Sequence, residues 1–166
     1  MRSLLRSFPL KELKNNRFVF TVSGKFEYLI EFHLSHFNLP SSIQDIQLYE
    51  LSFGPKNKPE RTSSQLINDM TRNTIFTAID YFLNKSDCVL MYICDSSDKR
   101  EQARHRLFAE NWYPLSKENF DVDLIIRVIE DQDLGDIYYS GILMKRDFKL
   151  YDHFLNEFKN PEILNK

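Results

Sequence analysis

Glycine is scarce in this chain. Only Gly24, Gly54, Gly135 and Gly141 occur among 166 residues, and no two of them share a short loop. A loop that cradles phosphate needs neighbouring glycines, so that successive backbone N–H groups can approach the ligand. Phosphate-binding loops and dinucleotide fingerprints are therefore absent. Cysteine is sparser still: Cys88 and Cys94 lie in one apolar run. Six residues of extended chain, at roughly 3.3 Å each, hold them about 20 Å apart and out of disulfide reach. They read as small buried apolar residues of a protein made in a reducing compartment. Excess charge of one sign is missing too. Lys and Arg number 22 against 24 Asp and Glu, a net charge of −2 that provides no global field toward nucleic acid or anionic lipid.

Catalytic and metal signatures are equally thin. No serine sits in a Gly-x-Ser-x-Gly elbow. His33 and His36 lack further spaced ligands, so no metal is expected. Glu27 and Glu31 alternate along the solvated side of a strand rather than forming a glycosidase pair. The opening MRSLLRSFPLKELK is interrupted by Arg6 and Lys11 and holds no signal-peptide core. No run approaches a membrane span, so a cytoplasmic protein without a membrane partner is expected.

What the chain does contain is apolar and aromatic: 42% hydrophobic residues, with 14 phenylalanines. This suffices for one domain over 1–166 with its own core. Residues 1–14 read as a short amphipathic lead with a helical turn after Pro9. RFVFTVS and FEYLIEFHL flank Gly24-Lys25 as a hairpin, with Phe26, Tyr28, Ile30, Phe32 and Leu34 on one face. Its aromatics suit a core better than a nucleic-acid platform, because Glu27 and Glu31 alternate with them. In IQDIQLYELSF the apolar parity switches, which predicts either a bulge near Leu48-Tyr49 or burial on both faces. Helical spacing from Ser63 to Asn84 places Leu66, Ile67, Met70, Thr74, Ala78, Tyr81 and Phe82 inward and Asp69, Asn73 and Asp80 outward, with Thr62 or Ser63 as cap. DCVLMYI has no alternation and reads as a central strand. A helix follows from Asp98 to Trp112, with Asp98 and Glu101 as a capping pair and Pro114 at its end. VDLIIRVIE and DIYYSGILM are two more strands, and 147–166 supplies a terminal helix and tail. The order β-β-β-α-β-α-β-β-α defines an α+β fold: a mixed, largely antiparallel sheet with helices packed on it.

That order over residues 17–145 resembles the GNAT-type N-acetyltransferase fold without its first strand and helices. Ala103 followed by Leu107-Phe108 matches the family's helix after the buried strand, where an alanine precedes a Leu-Tyr pair. The resemblance implies coenzyme A or acetyl-CoA held at the start of the long helix. The family's glycine-bearing loop there is replaced by PERTSSQ, so Ser63, Ser64 and Gln65 would have to donate to the pyrophosphate. Phe108 stands at the general-acid tyrosine and has no proton to give. The chain as a whole resembles a family of small bacterial proteins, mostly of Bacteroidota, with a domain of unknown function. The aromatic hairpin, the strand ending in Cys94-Asp95 and the run Arg104, Arg106, Leu107, Phe108 carry that likeness.

The densest chemistry lies in CDSSDKREQARHRLFAENW. Asp95, Asp98, Glu101 and Glu110 balance Lys99, Arg100, Arg104 and Arg106. Acids at the helix start oppose an anion site there. At 100° per residue Ala103, Leu107, Phe108 and Trp112 define the inward arc, and Arg104 falls within it, with Arg100 and Asn111 beside it. Such guanidinium groups brace the core through an acid such as Asp95, or line a cleft and bind a carboxylate or phosphate. Arg100, Arg104, Asn111 and Asp95 are thus the candidate ligand- or partner-binding residues. The sequence points to a non-catalytic interaction or regulatory module, with a protein partner or a second copy. The alternatives are an acyl-CoA-dependent N-acyltransferase with a diverged cofactor loop, and a nucleic-acid binder using Lys99, Arg100, Arg104 and Arg106.

Overall fold

A computed structural model describes residues 5–37, 39–56, 65–94, 98–130 and 133–159. The described strands form one seven-stranded sheet ordered β1-β2-β3-β4-β5-β7-β6. They are β1 (Lys11–Leu13), β2 (Arg17–Val22), β3 (Phe26–Leu34), β4 (Gln47–Pro55), β5 (Cys88–Ile93), β6 (Val122–Glu130) and β7 (Ile137–Lys145). Neighbours are antiparallel except β4 and β5, which run parallel and are joined by the long helix α1 (Gln65–Lys85). The α+β architecture with a mixed, largely antiparallel sheet is therefore present.

The lead differs from expectation. Lys11–Leu13 forms an edge strand instead of a helical turn, because Asn15 and Asn16 take φ of 61° and 55° and turn the chain back onto β2. The connection is the three-residue turn 14–16, whose two positive-φ positions reverse the chain, and asparagine is one of the few side chains that tolerates them. The preceding residues then pack along α1. Thr74 Oγ1 accepts the Phe8 N–H at 2.8 Å, and Asn73 Nδ2 donates to the Arg6 carbonyl at 2.9 Å. Asn73 is buried as a result, whereas the helical period placed it outward, and Tyr81 is 45% exposed where the period placed it inward. The cap positions Thr62 and Ser63 lie outside the described residues.

The parity switch in β4 needs no bulge. Its pairing with β3 runs unbroken from Tyr49–Leu34 to Pro55–Tyr28, and its pairing with β5 unbroken from Gln47–Cys88 to Glu50–Met91. The strand is buried on both faces: Leu51 belongs to the cluster under α1, Leu48 to the cluster on the opposite face. β5 is sandwiched likewise, with Cys88, Leu90 and Tyr92 on the α1 side and Val89 and Met91 on the other. That second face is closed by α4 (Tyr151–Phe158) through Phe154 and Phe158, and by the 3₁₀ turn Ser41–Ile43. The hairpin aromatics pack as core. Phe18, Phe20 and Phe32 are almost fully buried, and Phe32 stacks on Phe82 of α1 with centroids 4.1 Å apart. Burying such a ring is worth about 2–3 kcal/mol, and the stacked pair adds roughly 0.5–1.5 kcal/mol.

Candidate functional site

Beyond β5 the chain re-enters as α2 (Glu101–His105), continues as a π-helical segment (Arg106–Trp112) and ends as α3 (Tyr113–Ser116). Pro114 does not stop it. The wider π turn has already broken the i→i−4 ladder, so a residue without an N–H is tolerated where α3 begins. The inward residues are His105, Phe108 and Ala109, followed by half-buried Trp112 and buried Ser116. Ala103 and Leu107 are exposed, so the inward arc lies about one residue, or 100°, from its expected position.

The reason is His105, which apolar periodicity alone leaves out. It is 5% exposed, its Nδ1 lies 3.3 Å from the Tyr92 hydroxyl, and its ring centre lies 5.0 Å from that of Tyr139. A polar ring with a hydroxyl partner and two aromatic neighbours can be buried at little cost. Burial pushes the His105 pKa below its ordinary value, with Glu110 opposing weakly, and burial next to Cys94 pushes the Tyr92 hydroxyl well up. Tyr92 therefore stays protonated near neutrality, and its ring makes a T-shaped contact with Phe108, centroids 4.9 Å apart.

With His105 inward, Arg104 turns to the surface. Its guanidinium grips Asp98 through both nitrogens, one contact at 2.7 Å, and Asp98 also accepts the Arg100 N–H at 3.1 Å. Arg104 holds the Asp98 carboxyl below the usual carboxylate range. Asp98 thus clamps the chain entering α2, and the N-cap position itself falls to Arg100, which makes no side-chain cap bond. Both arginines are exposed, which corrects the expectation that they run along the core; Asn111 is exposed on the π segment. Asp95, Ser63 and Ser64 lie outside the described residues, and Gln65 opens α1.

Behind this pair the Cys94 thiol is buried and pushed up to about 11, chiefly by burial, with Arg104 lowering and Glu101 raising it. A thiol held that high is a poor nucleophile at neutral pH. Glu101 keeps Oε2 buried without a hydrogen-bond partner among the described residues. The group of Tyr92, Cys94, Asp98, Glu101, Arg104 and His105 can tie the end of β5 to the helix above it.

A second polar cluster, unannounced by any motif, sits where β6 starts. Asp123 accepts the Arg146 Nε–H and the Tyr151 hydroxyl, each at 2.9 Å, and Arg146 also donates to the Lys117 carbonyl at 3.1 Å. Burial and the Asp123 carboxylate push the Tyr151 phenol up to about 12. The cluster borders an open cleft of ≈ 720 Å³, lined also by Phe148, His153 and Asn156. The outer strand it anchors is unusual. On β6 Ile126 and Val128 are 46% and 52% exposed, and Ile137 on neighbouring β7 is 43% exposed. Sequence patterning marks these as strand residues, but which strand ends a sheet is a tertiary property.

Fold and site together define an α+β protein with one mixed sheet, a braced strand–helix junction and an outermost described strand that exposes Ile126 and Val128. The family model described as a family of unknown function (DUF6169) matches residues 68–160, more than half of the chain, and the chain belongs to that family. No curated protein matches the chain. Among the described residues no helix is long and apolar enough to cross a membrane.

Proposed function

We propose that the protein is a non-catalytic interaction module on an acetyltransferase-like arrangement of elements, and that it binds through the outer edge of its sheet. The observation that carries this is β6. It is nine residues long, pairs with β7 alone among the described strands, and exposes Ile126 and Val128 beside Ile137. Exposed apolar side chains on an open strand mark an interaction surface, because natural edge strands are otherwise blunted by charge, proline or shortness. The test compares the wild-type chain with the Ile126→Lys/Val128→Lys variant. Sedimentation velocity and pull-down should show a stoichiometric binding partner, another chain or a second copy, that the variant loses. Identical behaviour of a folded variant would reject the reading.

The acyl-CoA-dependent reading keeps one supporting observation. β4 pairs with β5 only from Gln47 to Glu50, while Leu51–Pro55 run on beside β3, so the parallel strands part beyond Glu50. An extended amide-bearing chain such as that of coenzyme A could pair with the side of β4 that faces no other described strand beyond Glu50. Phe53, Phe108 and Trp112 pack together there, and buried Phe108 offers no proton for transfer. A thermal-shift rise with acetyl-CoA or free CoA supports this reading; no shift at millimolar concentration rejects it.

A further inference from the structure

The two edges of the sheet are treated differently. β1 closes one side with three residues, whereas β6 leaves nine, Val122 to Glu130, with no glycine, proline or lysine among them. The Arg127 carbonyl points toward β7, where the Ser140 hydroxyl donates to it at 3.0 Å. Backbone direction alternates along a strand paired on one side, so the N–H and C=O groups of Val122, Leu124, Ile126 and Val128 point outward. Those groups form a ready pairing template.

The sequence of that template, Val122-Asp123-Leu124-Ile125-Ile126-Arg127-Val128, has the same character in both directions around Ile125. We infer that β6 pairs antiparallel with β6 of a second copy of this chain about a two-fold axis at Ile125, joining two sheets into one. In that register Val122 faces the partner's Val128, Leu124 faces the partner's Ile126, and Asp123 faces the partner's Arg127. The outward backbone groups then form about eight inter-chain hydrogen bonds. The exposed Ile126 and Val128 each gain an aliphatic neighbour, and two opposite-charge pairs lie across the strands. Asp123 already serves Arg146 and Tyr151, and Arg127 donates to the Phe158 carbonyl at 2.8 Å. A carboxylate offers about four acceptor positions and a guanidinium five donors, so each side chain can serve more than one partner at once. Moving the axis to Ile126 loses both ion pairs, and moving it further that way sets Arg127 against Arg127; an axis at Leu124 sets Arg127 against the partner's Asp121 but leaves about six inter-chain backbone hydrogen bonds instead of about eight. Charge and the length of backbone pairing together select the axis at Ile125, and the closed two-fold prevents open polymerisation.

This inference rests on the reading of the sheet edge as an interaction surface, and it commits that surface to self-association. The experiment introduces Ile125→Cys into the full chain, with Arg127→Cys as control. Two Cα atoms facing across a non-hydrogen-bonded antiparallel position are about 4.5 Å apart, within disulfide reach. Residues 127 of the two copies would lie four positions apart, roughly 13 Å. Oxidation should yield a covalent dimer with Ile125→Cys and none with Arg127→Cys. Sedimentation equilibrium should show a wild-type dimer weakened at least about tenfold by Arg127→Glu, through the lost and inverted cross-strand pairs. Cross-linking at position 127 but not 125 would overturn the register. A wild-type chain that stays monomeric to millimolar concentration would overturn the pairing. If that monomer still binds another protein through Ile126 and Val128, only the choice of partner fails; if it binds nothing, the edge reading fails with it.

Discussion

Replacing Gly141 by alanine sets two opposing effects against each other. Gly141 lies mid-strand in β7, opposite Tyr92 of β5 and Ile126 of β6. A Cβ added there would stand 2.5 Å from Tyr92 Cε1, 2.8 Å from Tyr92 Cζ and 2.9 Å from Leu124 Cδ1. The tyrosine ring has little room to retreat, because its hydroxyl meets His105 at 3.3 Å and its ring packs against Phe108 in a T-shaped contact. Where space allows, Gly→Ala stabilises a strand by about 0.4–1 kcal/mol through the unfolded chain. Here overpacking costs about 1–3 kcal/mol. The net expectation is a loss of about 1–2 kcal/mol, which for a chain of this size lowers Tm by roughly 2–8 °C. Urea unfolding followed by Trp112 fluorescence, with thermal unfolding by circular dichroism, measures it. Combining Gly141→Ala with Tyr92→Leu should remove most of the penalty, since the ring is the principal obstacle. A Gly141→Ala protein as stable as its parent, or more stable, would refute the packing argument.

Three further outcomes follow from the same junction. Because burial lowers the His105 pKa, the unfolded chain binds more protons than the native one below about pH 6.5. The stability this residue contributes is then present above the unfolded value and lost as pH falls toward the folded one. Between pH 7.5 and 5 the wild type should lose more stability than His105→Gln, and parallel curves for the two would contradict the buried neutral imidazole. Arg104→Met should fold and lose less than about 1 kcal/mol, because an exposed ion pair such as Arg104–Asp98 contributes little; failure to fold would show that the guanidinium supports the core. Cys88, pushed to about 12, and Cys94, pushed to about 11, should resist thiol reagents in the native state and react as two thiols in denaturant. Rapid native labelling of Cys94 would contradict its burial.

Much of the architecture was legible in the patterning. Alternation in FEYLIEFHL, the unbroken apolar run CVLMYI and the helical period from α1 onward each report a local requirement, namely which faces must leave water. The order of strands and helices from β2 onward followed directly. The edge strand at Lys11–Leu13 was missed because two asparagines carried its turn in place of glycine. The arginines of the charged stretch were misplaced because periodicity scores Ala103 and Leu107 as apolar and ignores His105. Burial of an imidazole depends on a partner thirteen residues away, the Tyr92 hydroxyl, which only the folded sheet brings there.

By itself the sequence determined the elements from β2 onward, their order and the buried centre of the sheet, since these depend on side-chain period and backbone preference within a few residues. It also determined the palindromic character of VDLIIRV. Only the tertiary structure decided that this segment is the last of the described strands, with one side of its backbone facing no other described strand. Strand order arises from contacts between segments far apart in the chain, and a local pattern carries no record of which neighbour is absent.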